Sequence, residues 1–115
     1  MTSKAEVKTE GFTSFSEFYP YYLSEHSNPT CRTLHYIGTS LGLGVMLFAL
    51  TSGKFSYIPF GLVIGYAFAW IGHFFYEHNR PATFRHPLYS FLGDWVMLKD
   101  FLTGSIERKL PVRKD

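Results

Sequence analysis

The chain has 115 residues, 46% hydrophobic and 19% aromatic, with only 17% charged, where a soluble domain carries about 25%. That length supports a single domain. A net charge of +2, with no basic stripe interleaved with aromatics, excludes nucleic acid as a partner; the lone Cys31 excludes an intramolecular disulfide and a zinc site built on cysteines, and reads as packing.

In chain order, Met1–Gly11 holds Lys4, Glu6, Lys8 and Glu10 without an apolar run. It reads as a short disordered lead-in rather than a secretory signal. Ser14 and Glu17 have capping-box spacing, and Phe12, Phe15, Phe18, Tyr19, Tyr22 and Leu23 recur every three or four residues. This predicts an amphipathic helix, kinked near Tyr19 by Pro20 and ending near Glu25. Asn28-Pro29 then has the composition of a new helix start, with Asn as cap and Pro at the first helical position.

Two stretches follow, Thr33–Gly53 and Phe55–Tyr76, neither containing Asp, Glu, Lys or Arg and separated only by Lys54. Each is long enough for a helix to cross a hydrocarbon core of roughly 30 Å. With a turn at Thr51–Lys54 they form a transmembrane hairpin, so His35 and His73 come to the same depth on one side of the bilayer. Gly38 and Gly42 in the first span, and Gly61 and Gly65 in the second, have the spacing that lets helix backbones approach closely in lipid. Arg80-Pro81 ends the second span. Leu88 to about Thr103 predicts a fourth helix with Leu88, Phe91, Leu92, Trp95, Leu98, Phe101 and Leu102 on one side, interrupted by Asp94, Lys99 and Asp100, lying along the interface or dipping into the membrane. Residues 105–115 read as a charged, mobile tail. Lys and Arg cluster before the first span and after the second, which places both termini in the cytoplasm. The fold expected is therefore all-α: an integral membrane bundle of about four helices, with residues 12–104 as its single domain.

None of the five histidines falls in the distal half of the hairpin. Glu77 follows His73 by four residues, about 40° around an α-helix, whereas His78 is about 140° away. Three neutral imidazoles with one carboxylate suit a divalent transition metal, and two His with one carboxylate is the non-haem iron arrangement. Each residue also has a plainer reading. A single His at a helix end is commonly a hydrogen-bonded interfacial residue, His73 and Glu77 make an ion pair, and Asn28, Asn79 and Arg80 serve as caps. The cluster as a whole is harder to treat this way, because ionisable groups in lipid are costly unless paired or functional. The residues alone leave open iron or zinc, oxygenation or hydrolysis, and an enzyme or a non-enzymatic membrane scaffold.

Phe18-Tyr19-Pro20-Tyr21-Tyr22-Leu23-Ser24-Glu25-His26-Ser27-Asn28-Pro29, then Arg32-Thr33-Leu34-His35-Tyr36-Ile37-Gly38, resemble the opening motif of a family of small membrane proteins. Gly72-His73-Phe74-Phe75-Tyr76-Glu77-His78-Asn79-Arg80-Pro81-Ala82-Thr83-Phe84 resembles its central motif, and His86–Phe91 with Gly93-Asp94 its third. The resemblance spans roughly residues 12–104 and points to the iron(II)-dependent 2-hydroxy fatty acid dioxygenases. It implies an Fe(II) cofactor, a 2-hydroxy fatty acid and dioxygen as partners, and α-oxidation to an acid one carbon shorter, as in phytosphingosine breakdown. By position it implies His26, His35, His73 and Glu77 as ligands, with Glu77 leaning toward direct ligation. His86, Asn28 and Asn79 are supporting residues or, for His86, a further ligand. His78, where the family often has Lys or Arg, is set aside. Arg32, Arg80 and Arg85 are the candidates for the substrate carboxylate. The implied location is the endoplasmic reticulum in a eukaryote or the inner membrane in a bacterium, with a homo-oligomer left open. A zinc-dependent lipid hydrolase with Glu77 as base is the enzymatic alternative.

Overall fold

A computed structural model describes residues 8–110. Among them every regular element is helical: α1 (Phe15–Ser24), α2 (Pro29–Ser52), α3 (Ile58–Gly72), α4 (Pro87–Leu102) and α5 (Ile106–Lys109). The chain packs as two compact units, one continuous over 28–81 and the other assembled from the segments on either side of it.

The continuous unit is a helical hairpin. Asn28 caps α2 as its sequence dictates, its side-chain oxygen accepting from the Thr30 and Cys31 N–H groups at 2.8 and 3.2 Å. The helix continues through Thr51 and Ser52 and stops at Gly53, whose φ of 74° is the left-handed cap that glycine adopts without strain. The turn is thus tighter than Thr51–Lys54. A 3₁₀ turn at Phe55–Tyr57 leads into α3, and α3 passes into a π-helical turn at His73–Glu77.

Both halves, Pro29–Ser52 with 24 residues and Phe55–Glu77 with 23, are long and apolar enough to cross a membrane. Only 28% and 22% of their most apolar windows are buried within the chain. The core helix of a soluble protein would be mostly covered; here Leu41, Leu47, Phe48, Phe60, Val63 and Phe75 stand exposed.

Bare backbone holds the hairpin together. A Cβ on Gly42 would meet the Gly61 carbonyl oxygen at 2.8 Å, one on Gly61 the Gly42 oxygen at 3.0 Å, and one on Gly38 the Phe68 Cβ at 2.7 Å. Gly65 is looser, with the nearest atom at 3.8 Å. Toward the histidine-bearing end, Gly72 lies against Cys31, where a Cβ would fall 2.9 Å from Sγ. These pairings run antiparallel and set the register that brings the start of α2 to the end of the second helix.

The other unit contains α1, the 3₁₀ turn Ala82–Phe84, α4 and α5. The Ser14 hydroxyl caps α1 by accepting from the Glu17 N–H at 3.2 Å. The Glu17 carboxylate reaches past the cap to Thr13, accepting from its N–H and hydroxyl, and pairs with Lys8. The helix runs through Pro20 as one element and is capped by Glu25. Phe18, Tyr22, Leu23 and Met97 form its core. Asp100 is fully buried there, accepting from the Tyr19 hydroxyl at 2.7 Å and pairing with Lys99 and Lys109. Burial alone would raise this carboxyl, but the bonds from Lys99, Tyr19 and Lys109 hold it below the ordinary aspartate value. The segment read as a mobile tail begins with α5, which buries Ile106. Residues 1–7 of the expected lead-in and 111–115 of the tail lie outside the described residues.

Candidate metal centre

The register of the hairpin assembles a buried group from both of its arms. His35 and Cys31 are four residues apart on α2, hence on one face, and His73 opens the π turn at the end of the other arm. One donor atom from each of Cys31, His35 and His73 lies within 4.8 Å of the others. The two imidazole rings meet edge to face at 5.0 Å. All three residues are 3% exposed or less.

Carbonyl oxygens fix the histidine tautomers. His35 Nδ1 lies 2.9 Å from the Cys31 carbonyl, and His73 Nδ1 lies 2.7 Å from the Asn79 side-chain oxygen. A carbonyl oxygen only accepts, so each Nδ1 carries the proton and each Nε2 carries the lone pair. Metal-binding histidines are characteristically held this way, with one ring N–H on a carbonyl and the other nitrogen on the ion. The donor set itself, imidazole with a thiol, suits a divalent transition metal. The residues therefore fit a metal ion.

His26, in the other unit, has the same arrangement by a separate route. It follows the end of α1, is 1% exposed, and its Nδ1 lies 2.6 Å from the Tyr22 carbonyl.

The π turn explains where the remaining candidates go. The wider turn lets the Asn79 N–H reach the His73 carbonyl at 3.0 Å, while Asn79's side chain returns to the ring. His78 takes the left-handed conformation, φ 60°, and stands exposed, as expected of a residue outside the group. Glu77, expected as a ligand, is not among the donors of the buried group. The 40° offset from His73 presupposes α-helical geometry, and in the π turn the carboxylate accepts from the backbone N–H of Asn28, tying the second helix to the start of α2. Asn28 is a cap rather than a partner of a histidine ring. His86 packs against Phe12 and Phe18, with ring centroids at 5.2 and 5.4 Å, at the start of α4. Of the three arginines, Arg32 is buried on α2 beside Cys31, whereas Arg80 and Arg85 are exposed.

Cys31 is the member that the sequence reading passed over as packing. Its signal is its place four residues before His35.

A family model described as 2-hydroxy-palmitic acid dioxygenase Mpo1-like matches residues 12–106. The chain belongs to this family. No curated protein and no solved structure matches the chain. In this Mpo1-like chain the match takes in every residue of the buried group, together with the Asn79 acceptor that orients His73, and His26 besides.

Proposed function

We propose that this protein is a membrane-embedded, iron(II)-dependent dioxygenase that removes C1 from 2-hydroxy fatty acids. The observation that carries the reading is the set of buried imidazoles, each with Nδ1 committed to a carbonyl oxygen, in a chain of the Mpo1-like family. His26, His35 and His73 are the proposed nitrogen donors, and the Cys31 thiol adjoins the latter two. When bound, iron(II) supplies the Lewis acidity and the electrons that dioxygen chemistry requires.

The balance of the reaction is complete without an external reductant. A 2-hydroxy acid and dioxygen give carbon dioxide, water and an acid one carbon shorter, the C1–C2 bond being broken. Dioxygen takes four electrons, three from C2 and one from C1. The chain's own part is positioning. Arg32 sits one turn before His35, and its planar guanidinium suits bidentate binding of the substrate carboxylate. The apolar flanks of the two long helices give the acyl tail a lipid-facing route to the site, and burial of the donors keeps water from it.

The test is turnover by full-length protein in detergent, loaded with iron(II), given 2-hydroxyhexadecanoate under air. The expected products are pentadecanoate and carbon dioxide, lost in His35→Ala and His73→Ala and under argon. Product formation that survives without oxygen would overturn the reading. Cys31, a ligand type common at zinc sites, favours one alternative, a zinc-dependent lipid hydrolase; ester cleavage by zinc-loaded protein under argon would establish that instead.

A further inference from the structure

Tyr22 is held at three points, two of them by His26 and the third by Asp94. Its carbonyl accepts from His26 Nδ1 at 2.6 Å. Its ring lies nearly parallel to the His26 imidazole, centroids 4.1 Å apart and 26° between planes. Its hydroxyl donates to the Asp94 carboxylate on α4. Gly93 lies against the same ring, where a Cβ would stand 2.8 Å from both Cδ2 and Cε2. Tyr22 and His26 are each 1% exposed. His26 lies just beyond α1, and Tyr22 in the last turn of that helix meets its ring with both carbonyl and phenol ring. Gly93 and Asp94 hold Tyr22 from α4, with the Phe18 and Tyr19 rings also against it.

We propose that Tyr22 is the positioning residue for His26, and that Gly93 and Asp94 of α4 act on His26 through it. This rests on the reading of His26 as a metal donor. The phenol–carboxylate bond stops the ring from sliding, the bare glycine admits it, and the stacked imidazole is left with its Nε2 lone pair in one direction. The contacts of Asp94 and Gly93 are to the Tyr22 side chain, and their effect passes through it to His26.

The experiment uses the full chain in detergent micelles with two readouts. In metal-free protein, nitrogen–proton correlation spectra of the imidazoles should show His26 as a single tautomer protonated at Nδ1. Tyr22→Phe and Asp94→Leu should mix the tautomers, whereas Asp94→Asn, which keeps an oxygen acceptor, should restore the wild-type spectrum. In cobalt(II) titrations, Tyr22→Phe should weaken binding about tenfold, within the usual range for a residue behind a metal ligand, and shift the visible absorption bands. Added to His26→Ala, Tyr22→Phe should cost nothing further. A single Nδ1–H tautomer persisting in Tyr22→Phe, or an equal loss of affinity with His26 already removed, would overturn the proposal. If wild-type protein binds no cobalt, the metal reading fails, and the spectra of metal-free protein still decide the role of Tyr22.

Discussion

Glu77 and Asn79 stand two residues apart and have separate tasks. Asn79 orients His73, so Asn79→Leu should cost about 10–100-fold in metal affinity with the hairpin intact. Glu77 ties the backbone of Asn28, an acceptor role that a glutamine oxygen also fills. Glu77→Gln should therefore hold cobalt(II) within a few-fold of wild type, while His73→Ala abolishes binding; loss of the metal in Glu77→Gln would restore the carboxylate as a ligand. Asp94 carries a pH signature of its own. Burial pushes its carboxyl up to about 7, against the opposing bond from Tyr22. The folded state then holds this proton more tightly than the unfolded chain does, so the Asp94 contribution is present in acid and is lost as pH rises from about 4 through 7. Melting temperatures of wild type and Asp94→Asn across that range should diverge, the wild type declining more steeply; parallel curves would place the carboxyl in an ordinary environment.

Among the elements, the hairpin was the most legible in the sequence. Length, absence of charge, the Asn-Pro start and paired glycines are all local patterns, and Gly38, Gly42 and Gly61 prove to be close backbone approaches. Gly42→Leu should destabilise the hairpin by about 1–3 kcal/mol through overpacking against the Gly61 carbonyl. Gly44→Ala, with nothing within 4 Å of the added carbon, should leave melting in detergent unchanged, and equal damage from the two would remove the close-packing account. The π turn was not legible, because angular arithmetic on a sequence presupposes 3.6 residues per turn. That one departure turns a Glu77 oxygen to the Asn28 N–H and gives Asn79, already a supporting candidate, its bond to the His73 ring. Cys31 escaped notice for another reason: a lone cysteine carries no pairing signal, and its meaning came from Gly72 and His73, some forty residues away. The charge pattern after Thr103 likewise gave no sign of α5, which depends on a distant anchor, the Lys109–Asp100 pair.

For the whole molecule, the exposed apolar flanks of the two long helices predict that the protein sediments with membranes and resists carbonate extraction, while detergent releases it. Recovery as a soluble monomer without detergent would remove the membrane reading. The division into a continuous unit and one drawn from both sides of it also bears on synthesis. Translation completes the hairpin before the second half of the other unit exists. Tyr22 emerges 72 residues ahead of Asp94, a lag of about 4–14 s at roughly 5–20 residues per second. Over its last stretch, from Glu77 to Asp94, the nascent chain carries His35 and His73 in a finished hairpin, with the clamp on His26 still unmade. On the proposed reading, His26 is thus the last of the three imidazoles to be held in place, waiting on the making of α4.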